Sequence, residues 1–186
     1  MKRKPELLLI YIGILFVLIS ACFFGYQLWD DARVADVSAH ATEALYAQIA
    51  SQPTDDEVQG LELDGEVYMG ILSIPSLGLE LPINNEWSYP KLKVSPCRYS
   101  GDISDSLVIA AHNYKNHFGN ISKLEYGDVV TLTEVNGNKL EYLVQRVVSI
   151  DAEDIEGMTD SPYALTLFTC TYGGGARLAV RLSRAR

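Results

Sequence analysis

Cysteine is scarce in this 186-residue chain, and the shortage excludes one class of small exported protein. Of the three cysteines, Cys22 lies inside an apolar segment, which leaves only Cys97 and Cys170 for a folded domain. Two thiols can form one Cys97–Cys170 bridge at most, so a disulfide framework is excluded. A domain with so few cysteines, one of them at the end of a predicted strand, fits a thiol enzyme better.

Basic residues are also few once the N-terminus is set aside. From Asp30 onward the chain has 12 basic and 23 acidic residues, a net charge of -11. Nucleic-acid backbones and anionic lipid headgroups are bound by lysine and arginine, so neither is an expected partner of this part of the chain. Low-complexity tracts are absent, and Gly, Tyr, Val, Thr and Leu are spread throughout. This composition is typical of a compact, strand-rich domain.

Charge is missing altogether from Leu7 to Trp29. These 23 residues would span roughly 35 Å as a helix, and the hydrocarbon core of a bilayer is about 30 Å thick. Three basic residues precede the segment (2–4) and two aspartates follow it (30–31). The positive-inside rule therefore predicts a single-pass membrane anchor with the N-terminus in the cytoplasm and the rest of the chain outside.

Two other interpretations of the apolar segment stay open. A cleavable signal peptide would have a shorter apolar core and a small-residue cleavage site. The stretch Ile19-Ser20-Ala21-Cys22 resembles a lipobox, in which Cys22 would carry the lipid. Apolar character continues to Trp29, which favours an uncleaved helix. Each alternative tethers or exports the following residues on the outer side of the membrane.

The residues after the anchor predict three segments: 1–29 as cytoplasmic tip and transmembrane anchor, 30–66 as extracellular stalk and linker, and 67–186 as a compact domain. Apolar residues at helical spacing predict a short amphipathic helix between Val34 and Ala50. The stretch 51–66 is acidic and contains Pro53 and Gly60, so we expect a solvated linker.

Short apolar runs separated by turn signals follow this linker, and we expect a mainly β domain, either a closed barrel or a sandwich. Asn136-Gly137 predicts a hairpin. Short helical turns are expected near 118–124 and 153–158. The predicted strands are Met69–Ile74, Leu79–Ile83, Leu107–Ala111, Val129–Thr133, Lys139–Ile150, Leu165–Cys170 and Arg177–Leu182.

Three side chains with acyl-transfer chemistry occupy predicted strand ends. Cys170 ends one strand and opens a glycine-rich loop, His112 follows the apolar run 107–111, and Arg177 begins the last strand. A thiol, an imidazole and a guanidinium supply a nucleophile, a proton shuttle and an oxyanion donor. Taken singly, each has an ordinary alternative: a buried structural cysteine, a surface histidine and a surface cation. His117 is a weaker candidate than His112, because it lies in a polar loop and does not follow a predicted strand.

The same residues lie in motifs that resemble one known family. Thr166-Leu167-Phe168-Thr169-Cys170 resembles the TLxTC signature of sortases. The run from Leu107 to His112 is similar to the strand that leads into their active-site histidine, and 177–181 resembles the segment with their essential arginine. The resemblance implies an eight-stranded sortase-type β-barrel with short helices, preceded by an N-terminal transmembrane helix. It also assigns the three catalytic places to Cys170, His112 and Arg177.

A sortase would cleave an LPXTG-like sorting signal on secreted proteins through a Cys thioacyl intermediate. It would then join the new carboxyl end to an amine of the cell wall, such as a peptidoglycan precursor, or to a pilin lysine of another surface protein. The resemblance implies no metal and no cofactor. The region before Gly70 has no Asp-Pro-aromatic lid, which favours the anchoring of single proteins over pilus assembly.

Three rival functions remain at this point, one of which is a lipoprotein adhesin that depends on the Cys22 lipobox alone. Cysteine transpeptidases that act on peptidoglycan cross-links usually have an S-x-G-C-x-R element, whereas Thr169 and Thr171 flank Cys170 here. The second rival is a membrane-tethered, non-catalytic β-domain, either a binding module or an inactive relative. Such a domain would tolerate alanine at all three predicted catalytic positions.

Overall fold

A long helix, α1 (Arg3–Ser51), opens the computed structural model, which describes residues 3–51, 60–171 and 173–185. The chain divides into two compact units, Met1–Arg33 and Val34–Arg186. In the first unit the apolar side chains after Leu7 are exposed. From Leu7 onward α1 is long enough and apolar enough to cross a membrane, which makes it a candidate membrane span as expected.

The second unit consists mainly of β-strands. Two short helices, α2 (Tyr89–Leu92) and α3 (Ile155–Thr159), lie in connections between strands. The nine strands are β1 (Leu61–Leu63), β2 (Glu66–Ile74), β3 (Leu79–Asn84), β4 (Cys97–Ser100), β5 (Leu107–Ala110), β6 (Val129–Glu134), β7 (Lys139–Asp151), β8 (Leu165–Cys170) and β9 (Ala176–Arg184).

Eight of these strands form a closed barrel. Their order around the sheet is β2-β3-β4-β5-β8-β9-β7-β6, and β6 pairs with β2 to complete the ring. β1 lies outside the ring as an antiparallel neighbour of β2. The predicted eight-stranded barrel is therefore confirmed. Closure leaves no free edge in the ring, although β3 and β4 are joined by a single paired position, Asn84 with Cys97.

Alternation along each strand divides the side chains into an inner and an outer set. On β5, for example, Leu107 and Ile109 pack in the barrel interior, whereas Val108 and Ala110 pack on the outside. The interior is filled by a large hydrophobic cluster, and the outer cluster is completed by the connections that carry α2 and α3. The members of the outer cluster are Leu92, Cys97, Val108, Ala110, Met158, Phe168 and Ala179.

The predicted stalk helix lies within α1, and within the second unit it packs against the strands. Leu45 has no exposed surface and shares a cluster with Leu61, Ile71 and Val135. Of the apolar residues whose spacing predicts the helix, Ala41 and Leu45 are buried in this cluster and Ile49 packs against it, whereas Val37 is exposed.

Two strands do not follow from the sequence patterns above. β1 lies in the stretch predicted as an acidic linker, of which residues 52–59 are outside the described part of the chain. Asp64 and Gly65 have φ values of 53° and 80° and turn β1 into β2. Positive φ at both positions is the requirement of a type I′ hairpin, which Asp-Gly satisfies. The second, β4, has four residues and joins the ring through long-range pairing with β3 and β5.

Candidate active site

Three neighbouring strands of the barrel bring the predicted site residues into one row. β5 pairs in parallel with β8, and Ala110 lies opposite Phe168. Two residues further along both chains, the same register places His112 level with Cys170. β8 pairs in turn with β9, where Cys170 lies opposite Arg177. Adjacent strands are about 4.8 Å apart, so the row runs His112, Cys170, Arg177 across roughly two strand spacings.

Hydrogen bonds hold the end of this row together. The backbone N–H of Ala111 donates to the carbonyl of Phe168 over 3.1 Å. The hydroxyl of Thr169 donates to the carbonyl of Ala111 over 2.8 Å and is buried. The threonine next to Cys170 therefore ties the end of β8 to the residue that precedes His112. This bond explains why a hydroxyl-bearing residue at position 169 is suited to the site.

All three side chains start from the outer face of the barrel. On β8 the residues Leu165, Leu167 and Thr169 face inward and are buried, so Phe168 and Cys170 face outward. Ala111 belongs to the interior cluster, and the alternation therefore continues to place His112 on the outer face. Each of the three residues keeps partial exposure.

The loop between Cys170 and Arg177 is closed by its own threonine. Thr171 donates its backbone N–H to the carbonyl of Ala176 over 3.0 Å, and its hydroxyl accepts the N–H of Ala176 over 3.1 Å. The guanidinium of Arg177 donates to the carbonyl of Gly174 over 3.2 Å. The same nitrogen, Nη1, also donates to the carbonyl of Ala176 over 3.4 Å. The other guanidinium nitrogens, Nε and Nη2, have no partner among the described residues and are available to an anion beside Cys170.

Arg181 lies on the same face of β9 as Arg177, but its guanidinium is already hydrogen-bonded within the domain. Only 4% of its surface is exposed. Its guanidinium donates to the carbonyl of Met158 over 3.0 Å, to the hydroxyl of Thr166 over 2.7 Å and to the carbonyl of Gly157. Arg181 therefore fastens α3 to the strand that carries Cys170, and Arg177 is the arginine next to the thiol.

The imidazole of His112 is half-buried and contacts the ring of Tyr114 at a tilt of 41°, with ring centroids 5.0 Å apart. Burial lowers its pKa from the ordinary value, and the charge of Lys93 lowers it further. Within the part of the chain that the structure describes, no carboxylate forms an ion pair or hydrogen bond with this ring.

The remaining cysteine and histidine of the domain are buried. The three thiols are free, so no Cys97–Cys170 bridge forms. Cys97 donates a hydrogen bond to the carbonyl of Ser95, and burial raises its pKa to about 11, which keeps it protonated and unreactive. His117 has no exposed surface, whereas its polar sequence neighbours suggest a loop at the surface. The burial of His117 depends on how the loop after β5 folds. The pattern of polar and apolar residues around position 117 does not predict it.

Among the residues in the three described ranges, no group of three or more His, Cys, Asp or Glu side chains is placed to hold an ion. The row of thiol, imidazole and guanidinium provides acyl-transfer groups directly.

Known proteins share both the sequence and the fold of this domain. A family model described as the sortase domain matches residues 72–185. Sortase A of Bacillus anthracis is 31% identical over 144 residues, which cover 73% of this chain and 67% of that protein.

Solved structures give the same result. Sortase C1 from Streptococcus agalactiae is 27% identical with a TM-score of 0.58, covering 68% of this chain and 72% of that one. Sortase C of Clostridium perfringens, solved with the C-terminal cell wall sorting motif, is 25% identical with a TM-score of 0.56 and covers 83% and 95%. With a β-barrel of matching fold and a family match over most of its second unit, the chain belongs to the sortase family of cysteine transpeptidases.

Proposed function

We propose that this sortase cleaves an LPXTG-like sorting signal through Cys170 and transfers the released carboxyl end to an amine of the cell wall or of another surface protein. The observation that carries the proposal is the row of His112, Cys170 and Arg177 on one face of three paired strands. The similarity to a sortase solved with a cell wall sorting motif supports the substrate class.

In the first half-reaction the thiolate of Cys170 attacks the carbonyl carbon of the peptide bond to be cleaved. Arg177 stabilises the oxyanion that forms. The C–N bond then breaks, and the imidazolium of His112 gives its proton to the leaving amine. The product is a thioester between Cys170 and the donor protein.

In the second half-reaction an amine attacks the thioester carbonyl. His112, now neutral, takes the proton of the amine, and Cys170 leaves as the thiolate. The original protonation state is thereby restored, and the balance requires no metal and no redox partner.

The active pair of charges is rare at neutral pH. A thiol and an imidazole with ordinary pKa values of about 8.5 and 6.5 hold thiolate and imidazolium together in roughly one per cent of molecules at pH 7.5. Burial and Lys93 lower the pKa of His112, which makes the charged imidazole rarer still. Such a fraction is compatible with a slow enzyme.

We infer further that the apolar part of α1 anchors the domain on the outer side of the cell membrane. The candidate span and the basic residues before it support this orientation. Protease added to intact protoplasts should remove the domain and leave a short membrane-bound fragment. Protection of the domain until the membrane is lysed would reverse the orientation.

The chemistry is tested by incubating the full chain in detergent with an LPXTG-type peptide library and measuring the intact protein mass. We expect a thioacyl adduct on the wild type, no adduct on Cys170→Ala, and an unchanged adduct on the matched thiol control Cys97→Ala. An adduct that persists in Cys170→Ala would reject the assignment of the nucleophile. A folded wild type that forms no adduct with any peptide would favour the non-catalytic β-domain.

A further inference from the structure

A catalytic histidine beside a nucleophile is commonly oriented by a third group, often a carboxylate. His112 has no such partner in the described ranges of the chain. The groups that face it are Lys93 from the segment before β4, Tyr114 and His117 from its own loop, and Cys170 and Arg177 from the strands beside it.

An aromatic stack occupies the place of this third group. The ring of Tyr114 lies 5.0 Å from that of His112 and 5.7 Å from that of His117, at interplanar angles of 41° and 52°. Tyr114 is thus held between two imidazoles, one at the site and one that is fully buried.

The loop that carries the stack is held by its backbone. The carbonyl of His112 accepts the N–H of Phe118 over 3.1 Å, and the carbonyl of Tyr114 accepts the N–H groups of His117 and Gly119 over 3.0 and 2.9 Å. Phe118 is fully buried in the barrel interior. The backbone conformation at His112, just after β5, therefore depends on how residues 117 and 118 pack.

The imidazole of His117 is costly where it lies. It has no exposed surface, and among the described residues neither ring nitrogen forms a hydrogen bond of regular geometry, although the backbone of Val94 lies near the ring. Burial and the nearby His112 lower its pKa to about 4, with a small opposing effect from the backbone of Val94. It is therefore neutral when the enzyme works, and it does not compete with His112 for a proton. A buried polar group without regular partners destabilises a fold, so the ring of His117 acts here through its shape and its contact with Tyr114 rather than through its nitrogens.

We propose that His117 is a positioning residue for His112: its ring supports Tyr114, and the stack of the three rings holds the imidazole beside Cys170 in place of a carboxylate. This inference rests on the proposed function for its kinetic consequence. The geometric consequence, the restricted and partly desolvated state of His112, stands independently of the substrate.

The test compares His117→Ala, which removes the ring, with His117→Phe, which keeps a ring and removes both nitrogens. Each full-length chain is studied in detergent with 13C-labelled histidine, and the resonance of His112 is assigned with His112→Gln. We expect His117→Ala to raise the pKa of His112 by at least half a unit, because water reaches the ring. We also expect it to slow single-turnover thioacylation at least tenfold. The peptide concentration that gives the half-maximal rate should change less than twofold. His117→Phe should recover most of the rate and return the titration to within a few tenths of a unit of wild type.

Leu45→Ala is the matched control, since it removes a fully buried side chain in the separate cluster around α1. It should reduce stability without moving the titration of His112 or the rate per folded molecule. The proposal is overturned if His117→Ala leaves titration and rate unchanged, or if His117→Phe is as slow as His117→Ala. A wild type that forms no thioacyl adduct would overturn the proposed function instead, and the titration would still decide whether the stack controls His112.

Discussion

At the scale of single residues, β9 carries two arginines on one face with different surroundings. Arg177 is partly exposed and lies opposite Cys170, whereas Arg181 is buried with three hydrogen-bond acceptors. From the sequence alone, either arginine could be the cation near Cys170. Their partners in the structure separate a candidate oxyanion donor from a structural group.

Conservative substitution should separate the two roles. Arg177→Lys keeps the charge but loses the planar fork of donors, so we expect kcat to fall about 100-fold with little change in stability. Arg181→Lys should lower the free energy of unfolding by about 2 kcal/mol, because buried carbonyls lose donors. Thioacylation rates and thermal unfolding of both variants check the prediction. Equal effects of the two substitutions on kcat would contradict it.

The charge of Lys93 should affect the pH dependence of the enzyme. Lys93→Gln removes one of the causes that lower the pKa of His112, so the pKa should rise toward the ordinary value and more imidazolium should be present near pH 7.5. We expect kcat/KM there to rise about two- to threefold, with the limb governed by His112 displaced to higher pH. Lys123→Gln, which removes an exposed lysine, is the control. A displacement of this limb to lower pH would contradict the predicted effect of Lys93 on the pKa of His112.

At the scale of elements, the loop after β5 depends on a glycine. A Cβ atom at Gly119 would lie 2.6 Å from the carbonyl oxygen of Asn113 and 2.7 Å from that of Tyr114. These distances are shorter than real contacts allow, and both atoms are backbone. The loop therefore has to move if any side chain is introduced there.

Gly119→Ala should displace the histidine loop. We expect a loss of about 1–3 kcal/mol in stability from overpacking and a fall in kcat beyond that of the core control Leu45→Ala. The changed environment of His112 should appear as a shift of its histidine resonances. Gly25→Ala in α1, where a Cβ meets nothing within 4 Å, should leave both properties unaltered. Wild-type kcat in Gly119→Ala would contradict a rigid loop.

At the scale of the whole molecule, the second unit includes residues on both sides of the predicted domain start at Val67. Leu45 is fully buried and Leu61 nearly so, and both pack with Ile71 of the barrel. A chain that begins at Val67 lacks this cover, so apolar surface of β2 would meet water.

Chains that begin at Val34 and at Val67 should therefore differ in stability. We expect the shorter chain to lose about 5 kcal/mol in the free energy of unfolding, on the scale of two large buried side chains. Urea unfolding of the two chains, expressed without the anchor, measures the difference. Equal midpoints would show that residues 34–66 form an independent spacer.

Much of the molecule follows from local patterns in the sequence. The uncharged run 7–29 indicates the candidate membrane helix, and the strands β2, β3 and β5 to β9 correspond to apolar runs between turn signals. The segment with Cys170 and the runs leading to His112 and Arg177 are contiguous in sequence, so the family could be identified from them. Their catalytic roles stay predictions until the adduct is measured.

The tertiary structure decided what depends on partners far away in the chain. Closure of the barrel rests on the pairing of β2 with β6, and the row of site residues rests on the register of three strands. The burial of His117 and the hydrogen bonds of Arg181 also depend on residues that are distant in the sequence. Periodicity reports which face of an element is apolar, but it cannot report which distant group will lie against a polar side chain, because that contact exists only after the strands have paired.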